Sequence, residues 1–176
     1  MTYTEIVILA VLTNKDRHGY DIKKVAENVF GDNMTINNNT LYTCLHKFEE
    51  MDAVSCKIEH INGKPDRHVY SITDKGREIF REMVLDYPPE IADSEYEFYA
   101  RVAFFNMIEP EERQRVLKVR SAWLLSYIER MDSIDPARKP SGNNGYDSSV
   151  IRFIKEQAKN EISWIKTLEA ENDGKA

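Results

Sequence analysis

The side chains able to do chemistry gather in residues 36–73, INNNTLYTCLHKFEEMDAVSCKIEHINGKPDRHVYSIT. Asn38, Asn39, Thr40, Tyr42, Thr43, His46 and Lys47 fall within ten positions of one another. They are hydrogen-bonding groups of the kind that read base edges, and Asn can pair bidentately with adenine. Lys64 and Arg67 flank Pro65-Asp66 further on, where a cation could rest on a phosphate backbone or in a minor groove. Cys44, His46, Cys56 and His60 are metal-ligating types, but their spacing opposes a site. Cys44 and His46 are two apart, so on a helix they diverge by about 200°. On a strand, Cys56 and His60 would have Cα atoms about 13 Å apart. No metal and no cofactor are expected, and Cys44 reads as an inert buried thiol rather than a redox switch.

Two kinds of element must position these groups. Leu41, Leu45 and Phe48 lie at i, i+4 and i+7 and share one helical face. Asn39, Thr43, His46 and Glu50 occupy the opposite face, with Tyr42 and Lys47 on its flanks, which predicts a helix over 38–51. Val54, Cys56, Ile58 and His60 then alternate with Ser55, Lys57 and Glu59, and His68, Tyr70 and Ile72 alternate with Arg67, Val69 and Ser71. That is the period of half-buried strands. Asn62-Gly63-Lys64-Pro65-Asp66 joins them as a turn. A polar-faced helix followed by a basic-tipped hairpin is the winged-helix arrangement, with the helix in the major groove and the wing on backbone or minor groove.

LYTCLHKFEEMDAVSCKI and the wing GKPDRHVYSITDKGRE resemble the PadR family of transcriptional regulators, and HGYDI at 18–22 is similar to that family's second-helix entry. The resemblance spans about residues 3–85. It is looser over 86–172, which resemble the all-helical C-terminal domain of the longer members. Asn38-Asn39 depart from the small residues usual there, and Asp66 stands inside the wing motif. The resemblance implies a homodimer joined through the C-terminal helices, a Tyr at position 42 near DNA, and, as in some members, a small aromatic effector.

The chain has 176 residues, 41% hydrophobic and 31% charged, with formal net charge −6. No apolar run approaches a membrane span, and the start MTYTEIVILAVLTNKD has no basic leader region, so a cytoplasmic protein is expected. Residues 1–80 carry 10 basic and 12 acidic side chains. DNA binding would therefore rest on local placement of Lys23, Lys24, His46, Lys47, Lys64 and Arg67, with a modest salt dependence.

Thr2-x-x-Glu5 is a capping box that opens a first helix, apolar on nearly every side from Ile6 to Leu12. Residues 14–19 break it, and a second helix carries Ile22, Val25, Ala26, Val29 and Phe30 to a C′ Gly31. His18 is read as serving the turn. Thr73 caps a fourth helix that runs to about Leu85, and Pro88-Pro89 mark a domain boundary. Beyond it, helices are expected over 96–108, from Pro110 to about 131, and over 148–170, with a Pro/Gly/Asn-rich loop between the last two. Ile151, Ile154, Ala158, Ile162, Ile165 and Leu168 give the last helix near-heptad spacing. Two such helices expose more apolar surface than they can hide in each other, so a partner surface is expected, with Trp123 and Trp164 at the interface or lining an effector pocket.

The expected fold is mainly α with a small β-hairpin wing: a winged helix-turn-helix domain at 1–87, then an α-helical dimerisation and effector domain at 88–176. The expected function is a DNA-binding regulator, a repressor, reading a palindromic operator as a homodimer. There is no phosphate loop, no nucleophile motif and no paired acids, so no enzyme is expected. Two other classes are a winged-helix protein-interaction module, for which the negative charge argues, and a thiol- or metal-dependent sensor built on the His/Cys set.

Overall fold

The computed structural model describes residues 2–30, 36–60, 67–134 and 146–173. Within them, α1 (Tyr3–Asn14), β1 (Arg17–His18), α2 (Gly19–Phe30) and α3 (Asn38–Glu50) precede β2 (Val54–Glu59), β3 (Arg67–Ile72) and α4 (Asp74–Leu85). A 3-10 turn at Pro89–Ile91, α5 (Glu95–Val102), a second 3-10 turn at Phe105–Met107, α6 (Pro110–Ile134) and α7 (Tyr146–Asp173) complete the chain. No helix among the described residues is long and apolar enough to cross a membrane.

The first compact unit comprises Met1–Asp86 and Glu95–Ile108. Its axis is α1, whose Ile6, Ile8, Leu9 and Leu12 are at most 1% exposed, because α2, α3, α4, α5 and β3 all pack on it. Burying each such side chain contributes roughly 1.5–3 kcal/mol. The polar residue at the head of α1, Glu5, is also buried: its Oε2 accepts from Thr2 N (2.8 Å), as the capping-box pattern predicts.

The sheet order is β1-β3-β2, all antiparallel. Val54↔Ile72, Cys56↔Tyr70 and Ile58↔His68 are register partners, so the two alternating faces read from sequence lie on one side of the hairpin. Inward burial fades along it: Val54 and Tyr70 are buried, whereas Ile58 is exposed. β1 is an addition to the sequence reading, which had residues 14–19 only as a break. Two residues carry no detectable alternation, and β1 exists because β3 offers it a free edge.

The passage from α3 into β2 is a Schellman turn. Asp52 takes φ 55° and Ala53 N donates to Phe48 O (2.8 Å). Thr73 locks α4 onto this turn, donating from Oγ1 to Asp52 O (2.7 Å) and accepting from Gly76 N (3.0 Å).

The division by compactness differs from the boundary read at Pro88-Pro89, because residues 95–108 group with the winged unit. Arg101 explains why. It is 1% exposed and donates to Asp86 O (2.7 Å) and to Glu97 Oε2 (2.7 Å), while Glu97 Oε1 accepts from Tyr3 N (2.8 Å). The helix expected over 96–108 is also shorter. Phe104 leaves helical angles (φ −119°, ψ 21°), which brings its ring edge-on to Phe80 at 5.5 Å.

The second unit comprises Tyr87–Ser94 and Glu109–Ala176. Here α6 and α7 run antiparallel, as the pairs Asp132–Lys155, Arg120–Glu161 and Arg113–Asn172 show. Ile151, Ala158 and Ile165, each seven apart, are buried together with Val116, Leu117 and Leu124 of α6.

Candidate nucleic-acid interface

The core side of α3 is Leu41, Cys44, Leu45 and Phe48, all buried. That burial aims Asn38, Asn39, Tyr42, Thr43, His46 and Lys47 outward, and all six are exposed; Thr40 is half-buried. Asn37 supplies the cap, its side chain accepting from Thr40 N at 2.8 Å. The base-edge candidates Asn38, Asn39 and Thr43 therefore stand free on one rigid element.

Beside this face lies an open cleft of about 910 Å³. Tyr42, His46 and Glu49 of α3 form one wall, and Cys56, Ile58, Arg67, His68 and Tyr70 of the hairpin form another. His18 of β1 and Gly19, Tyr20 and Asp21 at the start of α2 close its end. Tyr42 is 46% exposed and Tyr20 74% exposed, so both rings offer open edges. An anion reaching the start of α2 would meet the positive end of the helix dipole.

Of the residues singled out from sequence, Tyr42, His46 and Arg67 meet in this cleft, while Asn38, Asn39, Thr40 and Thr43 lie outside its lining. Lys64 and the turn 61–66 lie outside the described residues. Lys47, exposed on the flank of the polar face, also makes an ion pair within the fold. Its Nζ lies 2.5 Å from Oε1 of the buried Glu5, so it straps α3 to α1. Burial alone would raise the Glu5 carboxyl, but the hydrogen bonds from Lys47 and Thr2 outweigh it and the net shift is downward.

The sequence reading missed Tyr20, Asp21, Glu49, His68 and Tyr70 as members of this surface, and gave His18 only a turn role. The available signal was the position of His18-Gly19-Tyr20 at a helix start. Burial raises the Cys44 thiol, and burial with Glu49 nearby raises that of Cys56, so neither has the lowered pKa of a reactive thiolate. No three His, Cys, Asp or Glu side chains among the described residues group as metal ligands.

The tentative interface residues of the second unit separate into two sets. Ile151, Ala158 and Ile165 are spent on α6, whereas Ile154 and Ile162 are half-buried. Trp164 is 38% exposed and Phe153 62%. Trp123 is half-buried in a stack, with Tyr127 at 4.9 Å and the Arg120 guanidinium 5.1 Å from its ring centre.

Several known proteins are similar to this chain. An uncharacterised protein of Lysinibacillus sphaericus is 25% identical over 85 residues, covering 48% of this chain and 78% of that one. Among solved structures, PadR of Bacillus subtilis in complex with operator DNA is 18% identical, with 96% of this chain and 98% of that chain covered at a TM-score of 0.46. The smu.1604c protein of Streptococcus mutans is 20% identical, with 97% and 99% covered at a TM-score of 0.45. Residues 8–82 match the family model described as the transcriptional regulator PadR-like family.

Proposed function

We propose that the chain is a transcriptional regulator of the PadR-like family, whose model matches residues 8–82, and that it acts as a homodimeric repressor reading a palindromic operator. The observation that carries this reading is the exposed polar face of α3 standing directly beside the cleft at the wing's base. Asn38, Asn39 and Thr43 take the base-edge role, with Thr40 beside them at the start of the helix. Tyr42, His46 and Arg67 take the flanking backbone, a role that the sequence alone assigns to Lys64 as well. Lys47 acts as a strap that fixes the pitch of α3 rather than as a phosphate contact.

The second unit supplies the dimer contact in this reading. Val150, Phe153 and Trp164 form an exposed apolar stripe on α7, on a different side from Ile151, Ala158 and Ile165. A two-fold pair of such helices would match the symmetry of a palindrome. Trp164, the more open of the two tryptophans, is assigned to any small aromatic effector, and such a ligand would act by tilting the two winged units apart.

Selection from random DNA followed by footprinting tests the whole reading. Two protected half-sites about one helical turn apart, related by a two-fold axis, are expected. Recovery of no preferred sequence by a folded dimer would overturn it. The net charge of −6 favours a second reading, a winged module that binds other proteins. That reading predicts no salt-dependent DNA affinity at all.

A further inference from the structure

Three of the four histidines in the chain, His18, His46 and His68, line the one cleft between α3 and the hairpin. The Nδ1 of each ring has a partner within 3.5 Å. The His18 Nδ1 lies 3.4 Å from His68 O, the His46 Nδ1 3.5 Å from Glu49 Oε2, and the His68 Nδ1 3.4 Å from Cys56 Sγ. Nε2 is therefore the nitrogen each ring has left for a ligand.

The partners of His18 and His46 decide what that nitrogen can do. A backbone carbonyl and a carboxylate only accept, so contact with either favours the tautomer in which Nδ1 carries the hydrogen. A neutral ring in that tautomer presents a bare lone pair at Nε2. A phosphate oxygen is also an acceptor, and the two repel. Protonation converts the same Nε2 into a charged donor aimed at the phosphate.

We propose that DNA binding at this cleft is proton-linked: His18 and His46, with His68 beside them, take up protons as a phosphate backbone enters, so affinity rises as the solution becomes acidic. This deepens the DNA-binding reading and rests on it. The other charged lining groups sharpen the effect. Arg67 from β3 is opposed by Asp21 of α2 and Glu49 of α3, so with neutral rings the lining is net negative. Burial pushes Tyr70 up to about 12 and raises the Cys56 thiol, and the phenols of Tyr20 and Tyr42 complete the titratable lining. Histidine is the side-chain type whose charge changes between about pH 5 and 8, where a cell could use it.

The test uses the full chain and a fluorescent random-sequence duplex of about 40 base pairs, with the same series of low ionic strengths at each pH, because the backbone component is sequence-independent. Affinity is measured at about pH 8 and about pH 6 for wild type, His18→Gln/His46→Gln and His60→Gln, each checked for fold by circular dichroism. Wild type is expected to gain roughly tenfold or more in affinity at the lower pH, with a salt slope steeper by about two per subunit. The double variant should lose most of that gain, and His60→Gln, whose ring lies outside the cleft lining, should keep it. Equal wild-type affinity at both pH values, or a full pH response in the double variant, overturns the proposal while leaving DNA binding intact. Absence of binding to this duplex and to selected DNA at either pH sinks the DNA-binding reading itself, and the proposal with it.

Discussion

A Cβ placed on Gly19 would stand 2.9 Å from Tyr42 Oη and 3.1 Å from its Cε1, so the glycine at the start of α2 is what lets the Tyr42 ring lie across that helix end. The atoms in the way are the far end of a side chain, which can swing aside. Gly19→Ala should therefore leave the fold intact while displacing Tyr42 into solvent. The expected loss in DNA affinity is about fivefold, or roughly 1 kcal/mol. Anisotropy titration beside a thermal melt checks both halves. A large drop in melting temperature with unchanged affinity would mean that Tyr42 is only a prop.

Gly76 behaves differently, because a Cβ there would meet backbone. It would fall 2.0 Å from Ala53 O and 2.8 Å from Ile72 Cγ1. Thr73 holds that carbonyl in place, donating to it from its backbone N (3.0 Å) and from Oγ1 (3.2 Å). Gly76→Ala should cost about 1–3 kcal/mol of stability, read by urea unfolding. A change under about 0.5 kcal/mol would show that α4 can slide off the turn.

The Glu5–Lys47 strap gives a pH signature in stability. The folded-state pKa of Glu5 is lowered, so the carboxylate form favours folding. Its contribution is present above the unfolded carboxylate pKa and is lost as pH falls through the lowered folded value. Glu5→Gln should destabilise near neutral pH by about 1–3 kcal/mol, and the gap to wild type should close below about pH 4. Parallel urea titrations at several pH values give the curve. A gap that persists unchanged at acid pH would place the cost in packing rather than in charge.

Arg120 performs the comparable task in the second unit. Its Nε and Nη2 lie 2.7 and 2.9 Å from the two carboxylate oxygens of Glu161, and Nη1 donates to Ala92 O at 2.6 Å. The Arg120 side chain is 3% exposed. Arg120→Met leaves a largely buried carboxylate and a carbonyl without their donors, at an expected cost of about 3–5 kcal/mol. The double variant Arg120→Met/Glu161→Met should recover part of it, since two apolar groups leave less unpaired charge. No recovery would assign the cost to the Ala92 carbonyl.

The helical elements were legible because their signals are periodic and repeated. Leu41, Leu45 and Phe48 mark the buried side of α3, and Thr73 caps α4 as its position predicts. The shared face of the two hairpin strands followed from alternation, and on it Cys56 stands opposite Tyr70. What escaped the sequence reading was decided by partners distant along the chain. Lys47 looks like any surface cation until Glu5, 42 residues earlier, is seen beneath it. β1 is two residues long and exists only against β3. The cleft draws on β1, α2, α3, β2 and β3, so His18 and His68 acquire a shared surface that no local pattern encodes. Residues 95–108 fold with the winged unit because Arg101 reaches back to Asp86 across Pro88-Pro89, a pairing that spacing alone does not announce.

The central claim is that the face of α3 beside the cleft binds DNA. Its most direct test is binding of the purified protein to the promoter region of its own gene at two salt concentrations, for wild type and for Tyr42→Ala. The account predicts specific binding that weakens as salt rises and falls by about tenfold or more in the variant, while both proteins melt at similar temperatures. Binding that is indifferent to salt and to Tyr42 would contradict it and move the interface elsewhere on the chain.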